Sequence, residues 1–398
     1  MPPAVSNPGT ALPSHDPVLR LAKGSNAFAF DLYRQLRTQA GNLVLSPASI
    51  SSALAMTWAG ARGATASQMK AVLHLEGGAD ELLNASGRLT AMLEDERQPI
   101  RFRIANRLFG EKTFEFENTY LDRLRAAFGA PMELLDFRIG PELARRHING
   151  WVEKQTEARI RDLLPAHAIN GDTRLVLVNA IYFLGDWETP FEPARTRSAA
   201  FWKSTSEAIE VSTMNRVGSM SYARRDGISA VELPYQGGAL SMLVVVPDAV
   251  DGLAALEASL DADSFDALIG ALQPQQVWAA IPRFEIAPAE SLSLADPLVA
   301  LGMRDAFDRE KADFTAMADP PGPDDRLSID KVFHKAFVKV DEQGTEAAAA
   351  TAVVMQRAGA AMVKRIEFKA DRPFLFVIRD RKSGLVLFMG RVADPSRP

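Results

Sequence analysis

Residues 331–351 read KVFHKAFVKVDEQGTEAAAAT, and the two halves of this stretch favour different structures. The first half alternates apolar and polar side chains and predicts the end of a strand over 326–341. From Gly344 onward, the second half carries only small or short side chains apart from Glu346, and it includes four consecutive alanines. Alanine is the best helix former and a poor strand former, so propensity alone predicts a surface helix that Thr345 would cap.

The alanine-rich segment also has a second interpretation. A helix is stabilised mainly by burying an apolar stripe, and residues 346–352 offer almost none. Small side chains suit a strand that slides into the middle of an already packed sheet, where bulky groups would not fit. Gly344, which comes just before this run, would then act as a backbone pivot. Another strand is expected from about residue 366.

Outward from this segment, the chain predicts an α+β fold. Helices are predicted over 18–40, 46–61, 65–73, 80–95, 116–128, 142–160, 252–272 and 294–303. Strands are predicted over 42–45, 102–110, 173–187, 219–225, 228–235, 240–247, 276–287, 326–341, 373–380 and 384–392. Because strands occur towards both ends with no clear break, we expect one domain over 21–398, after a flexible tail over 1–20.

Composition excludes several classes of protein. The 398 residues are 47% hydrophobic and 24% charged, as in globular proteins, and the net charge of −5 argues against a nucleic-acid binder. No apolar run could span a membrane. The chain has no cysteine and no pair of histidines at helical spacing, so neither a metal site nor another cofactor is expected. The start of the chain does not look like a signal peptide, so the expected location is cytoplasmic, or secreted with a leader removed.

Four blocks of sequence, in order along the chain, resemble the serpins, which are serine protease inhibitors of the suicide-substrate type. The resemblance covers about residues 25–395. It implies a fold of three β-sheets and about nine helices, with an exposed reactive-centre loop over about 342–365. The blocks are NLVLSPASISSALAM (42–56), LVLVNAIYFLGDWETPF (175–191), KVFHKAFVKVDEQGTEAAAAT (331–351), and DRPFLFVIRD with LFMGRVADP (371–380 and 387–395).

The resemblance also implies a mechanism. A protease attacks the loop as a substrate and forms an acyl-enzyme, and the loop then inserts as a new central strand before the acyl bond is hydrolysed. The chain would be an inhibitor and not an enzyme, acting as a monomer on a serine protease. A serpin fold used without inhibition, as a chaperone, carrier or storage protein, is the alternative. No bulky side chain or proline lies in the hinge, which favours inhibition.

The family's spacing places the reactive bond about sixteen residues after Glu342, between Ala358 and Gly359. A slip of one residue would move the cut to follow Arg357, and Met355 and Met362 are weaker candidates. Ala358 would suit an elastase- or subtilisin-like protease, whereas Arg357 would suit a trypsin-like one. A solubilising charge on an exposed loop is the favoured explanation of Arg357.

Three further groups of residues match the family's conformational machinery. Arg283 is expected to pair with Glu342, and Glu346 to point outward. Each residue also has a simpler explanation: a core histidine for His334, a core aromatic for Trp187, and a surface ion pair for Arg283. The hinge comprises Glu342, Gly344, Thr345, Glu346, Ala347, Ala348, Ala349 and Ala350; the shutter comprises Ser46, Ser49, Asn179 and His334; the breach comprises Trp187 and Arg283.

The helix over 142–160 resembles the one that covers the main sheet of serpins. Trp151 would anchor it there, although ordinary core packing explains this tryptophan equally well.

A serine hydrolase is a remote alternative. Ser67 and Lys70 match the S-x-x-K pattern, and Lys382-Ser383-Gly384 resembles the K-T-G pattern of penicillin-recognising enzymes. Each pattern is common by chance, S-D-N is missing, and the second match falls in a predicted hairpin turn.

Overall fold

The computed structural model describes residues 16–93, 100–128, 132–320, 322, 326–345 and 365–397. Within these residues the chain forms nine α-helices and two short 3₁₀ turns, Pro193–Arg195 and Asp305–Phe307. The helices are α1 (Pro17–Leu36), α2 (Pro47–Trp58), α3 (Gly63–Val72), α4 (Ala79–Leu93), α5 (Asn118–Phe128), α6 (Pro141–Gln155), α7 (Leu253–Ser259), α8 (Ala262–Gly270) and α9 (Ala295–Leu301).

The strands of the described residues are joined by hydrogen bonds into two sheets. They are β1 (Leu43–Leu45), β2 (Arg101–Glu111), β3 (Glu133–Leu135), β4 (Leu175–Asp186), β5 (Arg197–Ser204), β6 (Glu207–Arg225), β7 (Ile228–Pro234), β8 (Leu240–Pro247), β9 (Gln273–Pro282), β10 (Phe284–Ile286), β11 (Leu292–Ser293), β12 (Val332–Val340), β13 (Gly344–Thr345), β14 (Ile366–Lys369), β15 (Phe374–Asp380) and β16 (Val386–Val392).

The seven-stranded sheet holds β4 and β12 at its centre, in the order β10-β12-β13-β4-β2-β3, with β11 also paired to β12. Strands β12 and β4 run parallel and pair directly from Val332 with Leu177 to Phe337 with Tyr182. Strand β4 is buried along nearly its whole length, as its continuous apolar run predicts. We call this pairing and the space at its two ends the β4–β12 junction.

The nine-stranded sheet follows the order β1-β16-β15-β8-β7-β6-β9-β14, with β5 on β6. Strand β6 has 19 residues and pairs with β7 only through residues 221–225, while residues 213–222 pair with β9. The two ends of β6 thus belong to different arms of one continuous sheet. This pairing is consistent with the expected three sheets. Strands β5, β6, β9 and β14 form one arm of the nine-stranded sheet, and counting this arm separately gives three sheets.

Two hydrophobic cores flank the seven-stranded sheet. The larger core fills the space between the two sheets and the helices around them. The smaller core lies between the other face of β2, β4 and β12 and a cover formed by α6 and the segment that follows it. Ile148 and Val152 of α6, together with Ile160, Leu163 and Leu164 of that segment, are buried in this second core. The cover therefore lies over the β4–β12 junction.

Several element boundaries differ from the predicted ones. Helix α6 ends at Gln155 instead of 160, because Glu157 and Ala158 adopt left-handed backbone with φ of 50° and 64°. The helix predicted over 252–272 is two helices, since Leu260 is extended and Asp261 caps the second one. The strand predicted from 326 begins at Val332.

At the start of the chain, Asp16 caps α1 and Pro17 occupies its first turn. Residues 17–20 of the expected tail are therefore helical, and Val18 is buried. Residues 1–15 lie outside the described residues.

The sequence pattern does not predict β3, β5, β11 or the first twelve residues of β6. Strands β3, β5 and the first part of β6 expose much of one or both faces, so their apolar residues form no strong period. Strand β11 has only two residues.

Candidate functional site

The start of the predicted hinge is already part of the seven-stranded sheet. Gly344 and Thr345 form β13, which lies between β12 and β4 where these two strands separate. Gly344 pairs with Asp186, and Thr345 pairs with Gly185 on one side and Val340 on the other. The junction therefore admits a third, antiparallel strand at this end, which we call the hinge end.

Gly344 is required by close approach and not by a left-handed backbone. A Cβ atom at this position would lie 2.0 Å from the Gly185 carbonyl oxygen, which no side chain can tolerate. Its φ lies outside the positive range that favours glycine. The expected pivot thus has a different physical basis in this conformation: the absent side chain lets β13 lie against β4.

Thr345 is fully buried and its hydroxyl lies 2.7 Å from the hydroxyl of Tyr235. The Tyr235 ring stacks on Trp187, with ring centroids 4.6 Å apart and planes inclined by 16°. The Trp187 indole N–H donates to the Asp341 carbonyl at 2.9 Å, and its backbone N–H donates to the Gln343 carbonyl at 2.7 Å. Trp187 is thus both a core aromatic and a direct support of the chain that enters β13.

Glu342 is anchored by Arg283, as the sequence predicts. The Arg283 Nε–H lies 2.8 and 2.9 Å from the two carboxylate oxygens, and the Thr196 hydroxyl also donates to Glu342. The Glu342 side chain is only 6% exposed, against 47% for Arg283, so this is not a pair of two solvated charges. Burial alone would raise the pKa of Glu342, but the hydrogen bonds from Arg283 and Thr196 hold it below its ordinary value.

The four predicted shutter residues lie together beneath the junction. Asn106, Asn179 and His334 stand in one row across β2, β4 and β12. The Asn179 amide donates to Ser49 Oγ at 2.6 Å and to Asn106 Oδ1 at 2.7 Å. His334 Nε2 accepts the backbone N–H of Ser46, which begins α2, so its Nδ1 carries the proton that Asn179 Oδ1 accepts at 2.5 Å. The four shutter residues are buried, Asn106 is half-buried, and the polar groups of the cluster satisfy one another.

His334 is held in its neutral form. Burial lowers the pKa of the imidazole from 6.5 to about 3, only partly opposed by its hydrogen bond with Asn179. Protonation of Nε2 would also remove the acceptor of the Ser46 N–H. The unfolded chain therefore takes up a proton below about pH 6.5 that the folded chain does not, and acid favours unfolding.

This gives the first testable prediction. As pH falls from about 6.5 to about 4.5, His334 should remove apparent unfolding free energy at about 1.4 kcal/mol per pH unit, up to roughly 2–3 kcal/mol. His334→Gln, which keeps one acceptor and one donor, should lose that part of the slope in urea titrations, although it is less stable at pH 7. The exposed His167→Asn is the control and should keep the slope. An unchanged slope in His334→Gln would contradict the assignment.

The cover over the junction is fastened by polar and aromatic contacts. The Trp151 ring of α6 packs edge-on against Phe109, and the Arg107 guanidinium lies 4.4 Å from the Trp151 ring centre. On β12, the Lys335 ammonium donates to the carbonyls of Arg161 and Ala289 at 3.0 and 2.9 Å. Burial lowers the pKa of Lys335 below its ordinary value. The contacts of Trp151 and Arg161 join the sheet to this cover.

Some residues of this site are not identified by sequence analysis. Asn106 completes the polar row, and its position on the inward face of a predicted strand is the signal that could have found it. Thr196 and Tyr235, which bind Glu342 and Thr345, carry no comparable local signal. Residues 346–364 lie outside the described residues, and with them Glu346, Ala347, Ala348, Ala349, Ala350, Met355, Arg357, Ala358, Gly359 and Met362.

The residues of the hydrolase pattern serve structural roles. The Ser67 hydroxyl donates to the Gly63 carbonyl, and the Lys70 ammonium donates to the Gly77 carbonyl. Ser383 lies in the turn between β15 and β16 and donates to Asp380. Across the residues that the structure describes, no three His, Asp or Glu side chains are placed to hold a metal ion. None of the helices described is both long and apolar enough to cross a membrane.

Comparison with known proteins identifies the family. The family model described as serpin (serine protease inhibitor) matches residues 23–395. Human Serpin B4 is 38% identical over 94% of this chain and 99% of its own length, and the bovine leukocyte elastase inhibitor is 38% identical over 94% and 100%. The solved structure of Serpin48, described as a highly specific serpin of the insect Tenebrio molitor, has a TM-score of 0.85 and 31% identity, covering 96% and 100%. This chain belongs to the serpin family.

Proposed function

We propose that this protein inhibits serine proteases by presenting residues 342–365 as a substrate and inserting the cleaved loop between β4 and β12. Membership of the serpin family, together with relatives named as protease inhibitors, supports a protease inhibitor and not an enzyme. The observation that carries the insertion proposal is β13, because Gly344 and Thr345 already occupy the position of an additional central strand. A strand added at this point gains hydrogen bonds on both sides.

The register of β13 defines how insertion would continue. Thr345 pairs with Val340 and Gly185, and antiparallel pairing moves one residue down both strands for each residue added. Ala349 would then lie between Ala336 and Ile181, and Thr351 between His334 and Asn179. The parallel pairing of β12 with β4 has the same offset, since His334 already faces Asn179. An inserted strand would therefore enter with the flanking strands in register.

The small side chains fit this register. Alternate inserted residues, starting at Ala347, would face the larger core, where Val338, Ala336 and Ile181 are already closely packed. Their neighbours would face the cover formed by α6. Thr351 would bring a hydroxyl into the polar row of Asn179 and His334, where a larger apolar side chain would leave polar groups unpaired.

We further propose Ala358–Gly359 as the reactive bond and an elastase- or subtilisin-like protease as the target. A small residue before the cut suits a shallow specificity pocket. The bovine relative named leukocyte elastase inhibitor supports the same class. Cleavage after Arg357, by a trypsin-like protease, is the competing assignment.

The test is to mix the protein with elastase, subtilisin and trypsin and to separate the products by denaturing electrophoresis. An SDS-stable complex with elastase or subtilisin is expected, because the acyl bond survives denaturation. Mass spectrometry of the released carboxyl-terminal fragment should find Gly359 as its first residue. The variant Ala358→Pro should abolish the complex with these proteases, whereas Arg357→Gln should retain it.

Each alternative has a distinct result. A fragment that starts at Ala358, together with loss of the complex in Arg357→Gln, would assign the bond to Arg357 and a trypsin-like target. Complete cleavage near residues 355–362 without complex formation by any of the three proteases would contradict inhibition and favour a non-inhibitory serpin.

A further inference from the structure

A polar pocket lies at the end of the β4–β12 junction opposite the hinge. It has a volume of about 260 Å³ and is lined by most of the residues that lead into β4 and β12 and by two from the segment after α9. The lining residues are Asn170, Asp172, Thr173, Arg174, Leu175, Phe307, Arg309, Arg326, Ser328, Ile329 and Asp330. Three arginines line it, Arg174, Arg309 and Arg326, together with the carboxylates of Asp172 and Asp330. The lining therefore carries a net charge of +1.

Two of the arginines have no partner in the part of the chain that the structure describes. Neither the Arg309 nor the Arg326 guanidinium makes a salt bridge or hydrogen bond there. Arg174 donates to the carbonyls of Gly171 and Thr173 at the rim. A guanidinium presents several N–H donors in a planar fork that matches a carboxylate. The pocket thus offers donors to an anion.

If the loop inserts with the register of β13, its last residues reach this pocket. Continued from Thr345, this register would place Met355 level with Leu175, the first residue of β4, and close to the start of β12 at Val332. The flanking segments leave the ladder there, and at about 3.3 Å per residue Ala358 would lie up to about 10 Å further, toward the pocket. The last inserted residues would therefore arrive between the two segments that carry Arg174 and Arg326.

We infer that this pocket is a carboxylate site that binds the new carboxyl terminus of the cleaved loop. Hydrolysis of the Ala358–Gly359 bond transfers a water oxygen to the Ala358 carbonyl carbon and leaves a carboxylate, while Gly359 retains the nitrogen as an amine. At neutral pH the proton of the acid is taken up by that amine, which becomes an ammonium group. Arg309 and Arg326 donate to that carboxylate, which fixes the end of the inserted strand. This inference rests on the proposed insertion.

The test uses a pair of synthetic peptides and the uncleaved protein. Both peptides carry the sequence of residues 346–358, EAAAATAVVMQRA, because Thr345 of the intact protein already occupies its place in β13. Each has an acetylated amino terminus; one ends in a free carboxylate and the other in an amide. The acid peptide should bind about fivefold more tightly than the amide, as expected for a charge-assisted hydrogen bond at a partly exposed site. Raising the NaCl concentration should reduce this ratio.

The variant Arg309→Gln with Arg326→Gln should bring the acid-to-amide ratio close to one while leaving binding of the amide peptide unchanged. The control, Arg146→Gln with Arg225→Gln, removes the same charge from exposed positions elsewhere and should keep the ratio. Equal binding of the two peptides to the unaltered protein would overturn the carboxylate site while insertion stands. Failure of both peptides to bind would overturn the insertion itself, and the pocket assignment with it.

Discussion

Cleavage of the reactive loop is expected to raise the apparent melting temperature by about 10 °C or more, which corresponds to roughly 8 kcal/mol for a chain of this size. In the intact chain the far end of the loop is held by β14, which pairs with β9 in the nine-stranded sheet. A cut near residue 358 releases this restraint. Residues from Glu346 onward can then extend β13 along β4 and β12.

The gain in stability comes from replacing one ladder of hydrogen bonds between strands with two. Strands β4 and β12 now share a parallel ladder over six rows, Val332–Phe337 with Leu177–Tyr182. An inserted antiparallel strand replaces it with one ladder on each side, and parallel pairing is slightly the less stable per residue. The uncleaved form is therefore kinetically trapped, and its melting temperature should be compared at a fixed scan rate.

The measurement is calorimetry of the intact protein and of protein cut in the loop by a small amount of thermolysin, a metalloprotease that forms no acyl-enzyme, with the cut verified by mass spectrometry. Full-length protein kept with inactivated thermolysin is the control. A melting temperature that does not rise after a verified cut would mean that the loop stays outside the sheet. This result would contradict the inhibitory mechanism.

The second large effect is expected from the hinge. Ala347→Arg should convert the inhibitor into a substrate, with the SDS-stable complex reduced from the main product to a minor one. In the proposed register Ala347 lies between Val338 and Phe183, both fully buried in the larger core. An unpaired guanidinium there costs several kcal/mol. An increase of even about 3 kcal/mol in the insertion barrier slows loop insertion by roughly a hundredfold. Hydrolysis of the acyl bond would then be faster than insertion, and the protease would be released.

Glu346→Arg provides the matched control, because it introduces the same side chain one residue earlier. In the same register residue 346 lies level with Lys339 and Leu184, which are both partly exposed. This variant should retain most of the complex. Equal loss in the two variants, or full inhibition by Ala347→Arg, would contradict the register. The opposite pattern would indicate a shift by one residue, since a shift of one reverses the two faces of a strand.

The sequence was informative wherever a short-range pattern carries the structure. Strand β4 and the hairpin of β15 and β16 follow from apolar runs and a turn, and they lie close to the predicted positions. The same holds for α2, whose start at Ser46-Pro47 is a local capping signal. The hinge stood out because its alanines fit neither a packed helix nor an ordinary strand.

Local patterns were insufficient where the backbone departs from a regular period. Helix α6 stops at Gln155 although the residues after it are compatible with a helix, since their left-handed backbone is set by packing over the sheet. Strands β3 and β5 lack a clear alternation because neighbours cover them unevenly. Their pairing partners, not their own side chains, make them strands.

Local sequence patterns were enough to identify the family-specific segments, the small side chains of the hinge and the polar residues of the shutter. The folded arrangement was needed to show that Gly344 permits close approach to Gly185, that Asn106 joins Asn179 and His334, and how β13 pairs with its neighbours. It also decided that arginines from positions 174, 309 and 326 meet in one pocket. Strand register and pocket lining join residues far apart in the chain, and such contacts leave no periodic signal in any short window of sequence.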